Sequence, residues 1–364
     1  MAFEPDKKYA QPILKLYQPD DTYKALPLPE PSGVYPYHLD LENVTNLNPD
    51  TFSFHMVGDT GGVRYPDGQQ RIAREMGKQI IESTDNPPAF LYHLGDVVYH
   101  YGEAEQYDAQ FFKPYSAYPA PIFAIAGNHD SDVNPANPNP YNSLGPFAAV
   151  FCDSEPRDVA FSNSKLRKSM TQPNVYWTLQ TPLANIIGLH SNVPKYGYVG
   201  ADQRKWFVEE LKWAAKERPG KMIIVTIHHA PYTADFNHGS SVPMITFLEE
   251  AFTESSVRPD IIFSGHVHNY QRFNKTYPDG KVLPFIVNGA GGFDELHSLV
   301  KVGDPLYTID NPILDNVQLQ NYQDNKHGFL KITLTRKGDG VALTGEYYVL
   351  EDGVSVGDKF EYGG

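Results

Sequence analysis

Apolar residues recur along this chain in short runs that stop abruptly, usually at glycine. Thr51–Val57 is apolar and β-prone and stops at Gly58-Asp59. Residues 89–94 stop at Gly95-Asp96, residues 121–126 at Gly127-Asn128-His129, and residues 221–227 at His228-His229. Residues 260–264 stop at Gly265-His266, and residues 283–288 at the run Gly289 to Gly292. Each run predicts a buried strand. Two segments carry helical periodicity: 69–83, with Ile72, Met76, Ile80 and Ile81 assigned to one face, and 242–252. Residues 328–334 and 341–349 predict a hairpin around Lys337-Gly338-Asp339-Gly340.

The alternation of strands and helices predicts an α/β fold. The strand ends matter more than any single strand, because α/β folds gather their sites at the carboxyl ends of strands. Five such ends offer Asp, Asn or His, which predicts one shared site. Upstream, residues 1–50 read as an extended arm lying on the domain formed by 51–364, with Pro27, Pro29, Pro31 and Pro36 separating aromatic residues. Residues 131–141 read as a surface loop, and 142–175 as an insertion near the site.

Composition narrows the chemistry. With 30 Lys+Arg against 44 Asp+Glu, the net charge is −14, which repels nucleic acid and argues against it as a partner. No apolar stretch is long enough to cross a bilayer, so no membrane partner is expected. Residues 1–10 are polar and charged and lack the apolar centre of a signal peptide, which leans the expectation towards the cytoplasm. Cys152 is the only cysteine, so an intramolecular disulfide and a cysteine metal site are both excluded.

The candidate metal donors are therefore Asp59, Asp96, Tyr99, Asn128, His229, His266 and His268. Imidazole and carboxylate together suit zinc, manganese and iron, and a pair of metals needs terminal donors on each ion plus a bridging carboxylate. Gly265-His266-Val267-His268 is the most specific block. A lone Gly-Asp is ordinarily a turn, and it is the repeated strand-end context that gives these residues weight.

Taken in order, Gly58-Asp59, Gly95-Asp96, Gly127-Asn128-His129-Asp130, His229 and Gly265-His266-Val267-His268 resemble the blocks of calcineurin-like metallophosphoesterases over about residues 51–292. The resemblance implies a four-layer αββα sandwich, two mixed sheets flanked by helices. One departure is informative. The usual first block carries a histidine where this chain has Gly61. Tyr99, three residues after Asp96, is similar to the purple acid phosphatases, in which a tyrosinate binds ferric iron. Residues 265–272 also resemble that family's Gly-His-x-His-x-Tyr-Glu-Arg, with Gln271 in place of Glu.

Carried over by position, one metal would take Asp59, Asp96, Tyr99 and His268. The other would take Asp96, Asn128, His229 and His266, with Asp96 bridging. His228 competes with His229, and the match of His229-Ala230-Pro231 to the family's His-x-Pro selects His229. The implied cofactors are ferric iron and a divalent ion, iron, zinc or manganese. The implied reaction is hydrolysis of a small phosphate monoester by a metal-bound hydroxide, with His129 stabilising charge, Asp130 orienting His129 and His238 protonating the leaving group. His190 is read as structural. Two alternatives stand beside this: a phosphodiesterase or nucleotide hydrolase using manganese or zinc, and a metal-binding scaffold without catalysis. Specificity is expected from loops 131–151, 235–241 and 293–321.

Overall fold

The computed structural model describes residues 7–16, 23–163 and 167–363. Strands β1 (Leu14–Lys15), β2 (His38–Asp40), β3 (Thr51–Val57), β4 (Pro88–His93) and β5 (Ile122–Ala124) come first. Then follow β6 (Trp177–Gln180), β7 (Ala184–Leu189), β8 (Met222–Ile227), β9 (Ile261–Ser264), β10 (Tyr270–Thr276) and β11 (Val282–Asn288). The last are β12 (Tyr307–Thr308), β13 (Val317–Gln323), β14 (Gly328–Lys337), β15 (Gly340–Leu350) and β16 (Val354–Gly363). The helices are α1 (Asp67–Glu82), α2 (Asn128–Ser131), α3 (Gly145–Phe151), α4 (Ala201–Ala214) and α5 (Val242–Ser255).

Two mixed sheets form the body. One has the order β13-β10-β11-β9-β8-β7-β6-β2, and the other β16-β15-β14-β3-β4-β5. Their facing surfaces share a core that includes Phe54, Phe90, Phe123, Trp177, Ile224, Phe263 and Leu343. Strand β8 shows how the chain builds two layers at once. Met222 and Ile224 enter the core between the sheets, while Ile223, Val225 and Ile227 join the outer cluster with Trp206, Phe207 and Met244 of α4 and α5. Strands covered on both faces read as continuous apolar runs rather than alternating ones. Helix α1 packs on β4. The expected four-layer architecture is thus the observed one.

The apolar runs did not predict several strands or the helix α4, and the elements they did predict differ only locally. Ile81 is 73% exposed, because it lies nine residues beyond Ile72 and nine steps of 100° turn it to the opposite side of α1. The described residues of the segment 142–175 do not line the cavity at the site. Gln172 accepts from the Ala124 amide at 2.7 Å and donates to its carbonyl at 2.8 Å, closing the edge of β5. Residues 164–166 of that segment, and residues 1–6 and 17–22 of the expected arm, lie outside the described residues. The described arm is bonded to the domain at several points: Ile13 to Thr233, Leu26 to Asn192, and β2 beside β6. Among the described residues no helix is long and apolar enough to cross a membrane.

Candidate metal centre

Both sheets direct strand ends to one place. β3, β4 and β5 lead into Asp59, Asp96 and Asn128; β8 and β9 of the other sheet lead into His228-His229 and Gly265-His266. Asp59, Asp96 and His266 have φ of 58°, 52° and 67°, a left-handed backbone that non-glycine residues rarely adopt. Such strain, of order 1–3 kcal/mol per residue, persists where surrounding structure enforces it, commonly at functional sites. The preceding glycines allow close approach: a Cβ on Gly127 would lie 2.0 Å from Asp96 Oδ1, and one on Gly265 2.6 Å from Asp59 Oδ2.

On one side, Tyr99, Asp59 and His268 converge. The Tyr99 hydroxyl is 3.4 Å from Asp59 Oδ1 and 3.3 Å from His268 Nε2, and that Nε2 is 3.6 Å from Asp59 Oδ1. His268 Nδ1 donates to the Glu295 carbonyl at 2.9 Å, which fixes the tautomer and leaves Nε2 as an acceptor. On the other side, His266 Nδ1 donates to Asn128 Oδ1 at 2.9 Å, and His229 Nδ1 meets Ser191 Oγ at 2.7 Å. The Nε2 atoms of His229 and His266 are buried without a partner, and their rings lie 4.2 Å apart. Asp96 lies between the two groups and accepts from the His129 amide at 3.0 Å.

The electrostatics call for cations. Burial pushes the Asp59 carboxyl well above the usual carboxylate range, and nearby Asp96 adds to this. Burial acts on Asp96 in the same direction, but His228 and His129 outweigh it and hold Asp96 below that range. Burial, with Asp96 and Asp59 alongside, drives the Tyr99 phenol well above its ordinary value. Two buried carboxyls, a buried phenol and two buried imidazole nitrogens without partners form a hard oxygen and nitrogen donor set, which fits a pair of metal ions.

His228 enters the same cluster. Its Nδ1 donates to the Leu94 carbonyl at 2.8 Å, and its Nε2 lies 3.1 Å from Asn128 Oδ1 and 3.4 Å from Asp96 Oδ1. Burial disfavours its charge, but Asp96 and Asp59 raise it to about 9. Asp59, Asp96 and His228 accordingly form a compact group of ligand-type atoms.

A cavity of about 400 Å³ opens over the cluster, lined by Asp96, Asn128, His129, His238, His266 and His268. Each expected specificity loop reaches it, through Asp132, Asn237 and His297; Val193 and Lys195 were not foreseen. His129 Nδ1 donates to the His100 carbonyl at 2.8 Å. The expected contact from Asp130 to His129 is not formed. Asp130 instead accepts from the amides of Val97, Val98 and Gly127 at 2.8–3.2 Å, because its buried carboxylate is enclosed by peptide donors of the two adjoining loops. The His238 ring lies 4.3 Å from that of His266, tilted by 41°. His190 is buried and does not line the cavity.

Two residues near the cluster went unread. Ser191 follows β7, a strand absent from the sequence reading; had that strand been recognised, the strand-end rule would have found it. His297 stacks on His268 at 4.2 Å, eight residues beyond the Gly289 strand end. Tyr270 and Arg272 of the last block bond Asp358 of β16 and so tie the two sheets together. Gln271 faces the other way. It accepts from the Ala234 amide and donates to Thr233 Oγ1 and Asn269 Oδ1, and this donation is beyond the glutamate usual at that position.

Comparison with known proteins identifies the family. The calcineurin-like phosphoesterase family pattern matches residues 52–270. Purple acid phosphatase 15 of Arabidopsis thaliana is 28% identical over 196 residues, 51% of this chain and 32% of that protein. Purple acid phosphatase 1 of Ipomoea batatas is 31% identical over 159 residues, 42% of this chain and 29% of that protein. The match thus spans about a third of these relatives' length. The structure of GAP50, the anchor in the inner membrane complex of Plasmodium, has a TM-score of 0.56 at 14% identity, covering 86% of this chain and 89% of that one, which shows the fold alone. The chain belongs to the calcineurin-like phosphoesterase family, whose members bind two metal ions, and within it lies close to the purple acid phosphatases.

Proposed function

We propose that this protein hydrolyses small phosphate monoesters in the manner of a purple acid phosphatase. Asp59, Tyr99 and His268 would hold ferric iron, while Asn128, His229 and His266 would hold a divalent iron, zinc or manganese, with Asp96 bridging. The observation that carries this reading is the Tyr99 hydroxyl, buried within 3.4 Å of Asp59 and 3.3 Å of His268. A phenol whose proton is held so firmly becomes a ligand only beside a strongly polarising cation, and a trivalent hard ion is such a cation. When bound, the two ions would supply Lewis acidity and lower the pKa of the attacking water.

The chain's own groups have distinct parts. His129, held through Nδ1 by the His100 carbonyl, would donate from Nε2 to a non-bridging phosphate oxygen in its doubly protonated, imidazolium form. His238 gives a proton to the leaving oxygen as that oxygen takes the electron pair of the breaking P–O bond. His229 is preferred to His228 as ligand, because both nitrogens of His228 face acceptors while Nε2 of His229 has none. Residues 1–50 act in this reading as an arm on the catalytic domain 51–364, bonded to the loops around Thr233 and Asn192 that border the cavity.

Visible spectroscopy tests the proposal. Iron-loaded protein should be purple through a tyrosinate-to-ferric band, and Tyr99→Phe should be colourless. A colourless, active zinc or manganese enzyme that tolerates Tyr99→Phe would overturn the iron assignment in favour of the divalent phosphodiesterase or nucleotide hydrolase alternative.

A further inference from the structure

Beside the metal cluster, Asp235, His238 and His297 bring three ligand-type atoms within 4.8 Å of one another. Asp235 is fully buried and His297 nearly so. The Asp235 carboxylate is already engaged. Oδ2 accepts from the amides of Asn237 at 2.9 Å and His238 at 3.1 Å; Oδ1 accepts from Gly239 N at 3.1 Å and Thr233 Oγ1 at 3.3 Å. Four donors fill the acceptor sites of a carboxylate, so this group holds a loop rather than a third ion. His297 Nδ1 accepts from the His268 amide at 3.3 Å and lies 3.5 Å from Asp235 Oδ2.

The surroundings extend the same restraint. Phe236 N bonds Ser298 O at 2.9 Å and Val300 N bonds Ala234 O at 2.8 Å, pairing the two segments on either side of the Asp235–His297 contact. Gln271 fixes Ala234 and Thr233 from below, and Ile13 bonds Thr233 and Ser240. The His297 ring stacks on His268 at 4.2 Å and lies 5.1 Å from His238. His238 itself has a buried Nδ1 without a partner, so its ring is set by its backbone and by its ring neighbours alone.

We propose that Asp235 and His297 are positioning residues that set His238 at the leaving-group side of the metal cluster. Asp235 fixes the peptide of His238 through three consecutive amides, and His297 braces the ring region between His238 and His268. The inference rests on the reading of His238 as donor to the leaving oxygen, and the test separates the two.

Asp235→Asn and His297→Phe should be made in the metal-loaded protein and compared on two esters. 4-Nitrophenyl phosphate expels a leaving group that needs no proton, whereas ethyl phosphate expels an alkoxide that does. General-acid catalysis contributes about a hundred- to ten-thousand-fold, so a displaced donor should slow ethyl phosphate by about ten- to a hundred-fold. 4-Nitrophenyl phosphate should slow less than about threefold, with metal content and Tm kept. His297→Phe keeps a ring against His268 but loses both the contact with Asp235 and the acceptor of the His268 amide, so its metal content is measured alongside, and it carries the test should Asp235→Asn fail to fold. Equal losses on both esters, or none, in folded and metal-replete variants would overturn the proposal. His238→Ala is the reference. If it alone discriminates between the esters, the positioning proposal falls and the reading of His238 stands; if it slows both equally, both fall.

Discussion

The ring of Tyr99 occupies the space that a side chain at Gly61 would need. A Cβ built on Gly61 would lie 2.8 Å from Tyr99 Cδ2 and 2.3 Å from Gln110 Oε1. Gln110 in turn clamps the Tyr99 backbone, accepting from its amide at 2.9 Å and donating to its carbonyl at 3.0 Å, while Phe293 packs 4.0 Å from the ring. The missing family histidine and the extra tyrosine are one steric choice.

Gly61→Ala should therefore destabilise the protein by about 1–3 kcal/mol, the usual cost of overpacking a well-filled interior. Urea unfolding of the two proteins measures this. An unchanged midpoint and slope would show that Tyr99 is not locked by its surroundings.

His266→Ala should reduce hydrolysis of 4-nitrophenyl phosphate to background and lower the metal content, since it removes one of the proposed donors. Ser191→Ala leaves the donors in place and removes only the hydroxyl 2.7 Å from His229 Nδ1. It should weaken binding of the second metal by about ten- to a hundred-fold, the range for loss of a group that orients a ligand. Metal titration followed by activity reads both variants, and turnover undiminished in His266→Ala would refute the metal assignment.

His55 makes stability fall on the acid side of neutrality. It is buried away from the cavity, with Nδ1 3.0 Å from the Tyr118 hydroxyl and Nε2 3.0 Å from Gln79 Oε1. Burial lowers it to about 3, helped by Lys331 and opposed by Gln79. Above the ordinary value of 6.5, both folded and unfolded forms are neutral and nothing changes with pH. Below it the unfolded chain takes a proton that the folded protein refuses, so stability is lost as pH falls from 6.5 towards 3. By pH 5 the loss is about 2 kcal/mol. Unfolding at pH 7.5 and pH 5 should show a shallower loss in His55→Gln than in the parent, and parallel losses would exclude His55 as the source.

The legible part of this molecule was the strand ends. Asp59, Asp96, Asn128 and His266 could be singled out as candidates because a buried apolar run has to stop where polar residues begin, and each does follow a strand. The predicted strands at 51–57, 221–227 and 260–264 and the helix at 242–252 lie close to the observed elements for the same reason. Strands β6, β7, β10, β13 and β16 were not read, and Ser191 went with β7. Asp130 was assigned to His129 by adjacency in sequence, but a short turn aims neighbouring side chains apart, and its carboxylate turned to amides of the Asp96 loop instead.

What the sequence determined by itself was the chemistry available: oxygen and nitrogen donors in a fixed order, no thiol pair, and a tyrosine where a histidine is absent. Local spacing carries that information because each donor follows its own strand. The tertiary structure decided which donors meet. Two separate sheets must pack before Asp59 and Asp96 face His229, His266 and His268, and the 233–240 loop must pair with 297–300 before His238 and His297 reach the cavity. Those encounters join residues far apart in the chain, and they depend on how buried faces stack, which no local pattern encodes.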